Sequence, residues 1–177
     1  MRSNHHIATI LAASMLFLFA SCRDRTPIVD IQPENSTLVK ENMINANHVV
    51  IQSESTQIDG YVQRRGWNVT PLSSGARYWE YTSGEGDAIN PDDRVVVTYR
   101  LETLDGSPIY THQVDTLDVG RQQATVALDD LLLHLHYGSQ AWLIAPSNSA
   151  YGVVGDGDRV PSRTVIIYNV TNIKKLK

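Results

Sequence analysis

His134-Leu135-His136, Asp156-Gly157-Asp158, Ser147-Asn148-Ser149 and Gly84-Glu85-Gly86-Asp87 are the stretches whose residue types can bind a metal, attack a carbonyl or cradle a phosphate. Each lacks something its chemistry requires. Two histidines two apart on a helix do not face each other, and no third ligand is near in sequence, so His134 and His136 read as surface or boundary residues. The Asp156–Asp158 run lacks the spaced oxygen ligands of a calcium loop and reads as a polar turn. Ser147 and Ser149 have no paired base, and the Gly84–Asp87 run precedes a strand and has no lysine, so neither serine hydrolysis nor phosphate binding is supported. No metal and no cofactor is expected. Tyr151 differs: it stands between Ala150 and Gly152 on a loop, where packing demands little of a side chain, and reads as functional. Tyr99 and Tyr168 lie in strand-like runs and, on pattern alone, read as core or half-buried sheet residues.

The elements that must position these groups fit one domain. The chain has 177 residues, 42% hydrophobic and 19% charged, an ordinary globular balance. Fifteen Lys and Arg stand against nineteen Asp and Glu, a formal charge of −4, so no basic field exists to hold nucleic acid. The single cysteine, Cys22, cannot close an intramolecular disulfide. Ile7–Ala20 is apolar or small throughout, too short for a comfortable membrane span and the length of a secretory h-region. Residues 1–21 are therefore read as a signal peptide. Residues 22–40 read as Cys22 followed by an irregular, flexible tether, which fully stretched spans roughly 60 Å. Residues 41–75 carry a helix closing near Arg64–Gly66 and a loop at 71–75, the helix packing its apolar stripe (Ile44, Val50, Ile51, Ile58, Tyr61, Val62) on the domain behind it.

From Ala76 the period changes. Ala76–Thr82 and Arg94–Leu104 are rich in β-branched and aromatic residues between Gly, Pro and Asp clusters, and read as strands. Pro108–His112 and Asp115–Val119 make a short following pair, Asp129–Tyr137 reads as a helix ended by Gly138, and Gln140–Ala145 and Thr164–Ile173 are the most apolar strands, hence central. The sum is an α+β domain over 76–177: one antiparallel sheet with one short helix against it, preceded by an extra N-terminal helix. Trp67, Trp79 and Trp142 read as packing residues.

Val95-Val96-Val97-Thr98-Tyr99, Leu104-Asp105-Gly106, Gly120, a helix ending at Gly138, Ala145-Pro146, Ala150-Tyr151-Gly152 and Val160-Pro161 form an ordered set from Gly84 to Leu176. This set resembles the FKBP-type peptidyl-prolyl cis-trans isomerases. The resemblance implies a proline pocket walled by Tyr99, Tyr151 and Tyr168, the Tyr151 hydroxyl donating to a substrate carbonyl. It also implies substrate contacts at Ile109, Tyr110, Thr125 (through its backbone N–H), Leu128 and Val160. Relative to the family pattern, Ile109 replaces a Phe, Leu128 a floor Trp and Tyr110 an Asp. The segment before Gly120 is shorter, lacks the family's loop Arg and brings Asp115 where another aromatic would sit. Phe19-Ala20-Ser21-Cys22 resembles a bacterial lipobox, with Cys22 the lipid attachment point. Together these features look like the envelope lipoproteins of Bacteroidetes, including the gliding-motility-associated type.

That resemblance implies a membrane-anchored folding catalyst acting on proline-containing exported polypeptides. Arg23 after the cysteine favours the outer membrane, with the domain facing the periplasm. The alternative is a non-catalytic chaperone or assembly lipoprotein of the same fold. Three tyrosines facing one cavity favour the first reading; rings pointing apart, or Tyr110 filling the cavity, favour the second.

Overall fold

The computed structural model describes residues 33–176, so the expected signal peptide and the lipid-bearing Cys22 lie outside the described residues. Asn42–Lys177 forms one compact unit, which holds the sheet.

Helix α1 spans Pro33–Arg65, beginning eight residues before the expected Glu41, so residues 33–40, read as part of the tether, are helical. Proline suits the first helical position, where its missing N–H costs nothing and its fixed φ is already helical. The other end is closed by Gly66 at φ 63. Gly66 N–H donates to the Gln63 carbonyl and Trp67 N–H to Val62, both at 3.2 Å, so two of the last orphan carbonyls are satisfied in a Schellman closure. Only the C-terminal half of α1 packs tightly. Ile58 and Tyr61 are buried, whereas Ile44 is 57% and Ile51 45% exposed, so the expected stripe packs from Ile58 onward and not at Ile44 and Ile51.

Six antiparallel strands form one sheet: β1 (Thr70–Pro71), β2 (Arg77–Thr82), β3 (Arg94–Thr103), β4 (Pro108–Asp118), β5 (Gln140–Ala145) and β6 (Ile166–Lys175), in the order β1-β2-β5-β6-β3-β4. The two most apolar strands are central, as their composition requires. Side chains alternate between faces. Leu143 and Tyr168 join the core that contains Leu128, Leu131 and Leu132 of the short helix α2 (Val126–Leu132). Their neighbours Ile144 and Ile167 join Ile58 and Tyr61 of α1. Trp67 closes this second cluster, its ring 5.7 Å from Tyr61, 5.4 Å from Trp79 and 5.2 Å from Trp142. All three tryptophans are packing residues, as read from sequence.

β4 and the short helix α2 also differ from expectation. The short pair at 108–119 is one continuous strand, β4, because two irregularities let it follow β3: Tyr99 pairs Gln113, Leu101 pairs Tyr110, and Glu102 pairs Pro108. Each places an extra residue on β4, bending it without ending it. The helix expected at 129–137 runs instead over 126–132. Thr125 is its N-cap, its Oγ1 accepting from Leu128 N–H at 3.3 Å. Beyond Leu132 the turn tightens, His134 N–H donating to Leu131 and Leu135 N–H to Leu132, and the Leu135 carbonyl accepts from Ile89 N–H at 3.1 Å rather than from a helical donor.

Candidate active site

The cavity at the open end of α2 is built by five separate segments. β3 supplies Tyr99, β6 Tyr168, β4 Asp115, the entry to α2 supplies Gln123, Ala124, Thr125 and Leu128, and the turn after β5 supplies Ala150 and Tyr151; together they enclose about 380 Å³. Tyr99 and Tyr168 come from paired strands whose register sets Tyr99 opposite Val170 and Leu101 opposite Tyr168. The two rings are diagonal neighbours on one face, their centroids 5.4 Å apart and tilted by 55°. Leu128, 1% exposed, forms an aliphatic floor.

Hydroxyls are oriented by specific partners. Tyr99 Oη donates to Asp115 Oδ2 at 2.5 Å, and Tyr168 Oη and Thr125 Oγ1 lie 2.9 Å apart. Burial pushes the Tyr99 phenol up, and its hydrogen bond to the Asp115 carboxylate raises it further. Burial likewise raises Tyr151 and, more strongly, Tyr168. All three phenols therefore stay neutral across the working pH range and do not serve as acids or bases.

Tyr99, Tyr151, Tyr168, Thr125 and Leu128 thus share one cavity, while Ile109, Tyr110 and Val160 do not line it. Ile109 is a buried core residue of bent β4, packed with Val160 in the main cluster. Tyr110 is drawn away: its Oη donates to Asp156 Oδ2 at 2.5 Å, with Asp158 Oδ2 at 3.3 Å. Val160 is held because Asp156 Oδ1 accepts the N–H groups of Asp158, Arg159 and Val160 at 2.9, 2.9 and 2.8 Å. The 156–158 polar turn is therefore a clamp closing the loop after Tyr151. Asp115, in the sequence a departure from the family pattern and not a candidate site residue, also lines the cavity. Its role depends on a contact across bent β4 that no local pattern signals.

The clamp is pH-sensitive. Burial works to raise the Asp156 carboxyl, but the hydrogen bonds from Tyr110, Asp158, Val160 and Arg159 outweigh it and hold the group at about 2. A carboxyl lowered on folding stabilises the fold above its unfolded value near 3.8, and that contribution is lost as pH falls toward 2. The melting temperature is expected to fall between pH 4 and 2, and Asp156→Asn to flatten part of that limb while lowering stability at pH 7. An unchanged acid limb in the variant would remove Asp156 from this role.

Residues 86–173 match the family described as FKBP-type peptidyl-prolyl cis-trans isomerase. The chain carries an FKBP-type domain. A peptidyl-prolyl cis-trans isomerase from Pseudomonas syringae pv. tomato superposes with a TM-score of 0.58 at 24% identity, covering 73% of this chain and 93% of that one. AtFKBP13 superposes with a TM-score of 0.57 at 18% identity, covering 62% and 99%. No curated protein sequence matches. The family assignment supports isomerase activity for the FKBP-type domain, and both superpositions carry its half-wrapped α+β sheet.

Proposed function

We propose that the cavity binds proline and accelerates its cis/trans exchange in exported polypeptides, with the protein held at the cell envelope by lipid on Cys22. The observation that carries the first half is the convergence of Tyr99, Tyr151 and Tyr168 on one cavity above an aliphatic floor, with Tyr110 tied elsewhere.

Rotation about an X–Pro bond passes through a twisted amide at a barrier of about 18–20 kcal/mol. The twisted amide has lost resonance and is less polar than the planar one, so an apolar enclosure favours it over the ground state. Acceleration by about 10⁴ needs roughly 5.4 kcal/mol of that preference. The rings of Tyr99 and Tyr168 and the Leu128 side chain exclude water from the prolyl ring, and the neutral Tyr151 phenol donates to a substrate carbonyl. No nucleophile or proton transfer takes part.

The Cys22 anchor rests on the lipobox-like Phe19-Ala20-Ser21-Cys22 that ends the apolar run Ile7–Ala20. Exchange spectroscopy on an Ala-X-Pro-X peptide tests the catalytic half. The protein is expected to speed exchange, and Tyr151→Phe to slow it about two- to tenfold, the worth of one neutral hydrogen bond. No acceleration by folded protein would leave a binding or assembly lipoprotein. For the anchor, cells fed an alkynyl fatty acid are expected to label the chain and to lose the label in Cys22→Ala; equal labelling would refute it.

A further inference from the structure

Glu54, in the middle of α1, has a buried carboxylate that the proposed mechanism does not use. It is 5% exposed, and taking a carboxylate out of water is costly unless its oxygens are satisfied. Both are satisfied by a single residue 93 positions away: Oε2 accepts from Ser147 N–H at 2.8 Å and Oε1 from Ser147 Oγ at 2.6 Å. Ser147 opens the short 3₁₀ turn Ser147–Ser149, whose N-cap is Pro146 and which has no side-chain cap of its own. The first N–H of such a turn has no partner within it. Glu54 supplies that partner from α1.

The turn fixed in this way leads directly to Tyr151. The Ser147 carbonyl accepts from Ala150 N–H at 3.1 Å and from Gly152 N–H at 2.7 Å, so one residue grips the backbone on both sides of Tyr151. Ser147 is itself 4% exposed. A chain of hydrogen bonds thus runs from the Glu54 carboxylate through Ser147 to the backbone N–H groups of Ala150 and Gly152, the two residues flanking Tyr151. We infer that Glu54 is a positioning residue for Tyr151, which makes α1 part of the isomerase machinery and not only a spacer. The inference rests on the isomerase reading for its effect on rate, and on geometry alone for its effect on Tyr151.

The two dependences separate experimentally. With 3-fluorotyrosine throughout the protein, the Tyr151 ¹⁹F resonance is identified by its loss in Tyr151→Phe. Glu54→Ala is expected to shift or broaden it without substrate present. Glu54→Gln is expected to restore it, since the amide oxygen accepts the Ser147 N–H and the amide nitrogen donates to Ser147 Oγ. Ser147→Ala keeps the N–H bond and loses only the hydroxyl, so it gives a smaller shift in the same direction and serves if Glu54→Ala does not fold. In prolyl exchange, Glu54→Ala is expected to lower kcat/KM by about two- to tenfold, no more than Tyr151→Phe itself, since misplacing a contact costs at most its full worth. In a Tyr151→Phe background the same change is expected to cost less than about twofold, because the two act through one hydroxyl. An unmoved Tyr151 resonance in folded Glu54→Ala overturns the inference, as do equal rate losses in both backgrounds. A moved resonance in a protein whose wild type does not accelerate exchange upholds the positioning and refutes the isomerase reading instead.

Discussion

Replacing Tyr99 by alanine is expected to lower kcat/KM for prolyl exchange by about two orders of magnitude, equivalent to roughly 2.7 kcal/mol of lost transition-state preference. The side chain contributes three things at once. Its ring walls the cavity and packs on Tyr168, its hydroxyl satisfies Asp115 Oδ2, and at 6% exposure it is part of the core. Removing the ring admits water to the place where the prolyl amide twists, and water stabilises the planar, more polar amide. Removing the hydroxyl leaves a half-buried carboxylate facing the same space. Aromatic-to-alanine changes in cores typically cost about 3–5 kcal/mol of stability; here the loss should fall at the low end, because the vacated volume opens onto an existing cavity that water can fill. Tyr99→Phe separates these effects, keeping the wall and losing only the hydrogen bond, and should retain most of the rate. Urea midpoints and exchange rates on the three proteins test the argument. A folded alanine variant with near wild-type exchange would mean that Tyr99 is not a wall of the working site.

What was legible in the sequence follows from how local each signal is. β5 spans Gln140–Ala145 as expected, since an apolar run between turn residues leaves little choice of boundary. The ordered motif set fixes the strands of Tyr99 and Tyr168 and the turn of Tyr151; the β3–β6 register then sets Tyr99 beside Tyr168, while the turn after β5 brings Tyr151 to the same cavity. β4 was split in two because its bulges interrupt the period that marks a strand, although its pairing with β3 continues. The start of α2 was placed three residues late because Asp129 looked like the acidic first turn. In fact Thr125 caps the helix, and Asp129 points back to accept from Gly120 and Gln122 N–H at 2.8 and 3.1 Å. Glu54 had no local signature at all: on a helix with Ser53 and Ser55 beside it, one more polar residue reads as solvated. Its burial depends on a residue 93 positions away. The role of Asp115 is likewise hidden, because its partner Tyr99 lies on the neighbouring strand; the Asp156–Asp158 turn is legible because its backbone bonds are local, and only its bond to Tyr110, 46 positions away, is not.

The loop after Tyr151 offers a paired test of how tightly the site is closed. Gly155 and Gly157 have nearly the same backbone, φ 79 and 80, but different surroundings. A Cβ at Gly157 would meet nothing within 4 Å, whereas one at Gly155 would lie 2.1 Å from the Val160 carbonyl oxygen and 3.1 Å from the Pro161 carbonyl carbon. Both neighbours are backbone and cannot swing aside as a flexible side chain would. Gly157→Ala should therefore cost only the left-handed conformation, about 1–2 kcal/mol. Gly155→Ala carries that cost and must also push Val160, 4% exposed, out of the core and break its N–H bond to Asp156. A further loss of at least about 2 kcal/mol is expected, the range in which an overpacked backbone contact falls. Gly155 N–H also donates to the Tyr151 carbonyl at 3.1 Å, so the displacement passes to the pocket. Prolyl exchange should fall in Gly155→Ala and hold in Gly157→Ala. Equal stability losses in the two variants would mean that the loop does not close on Val160 as tightly as its geometry requires, and that the Asp156 clamp alone keeps the Tyr151 side of the cavity in place.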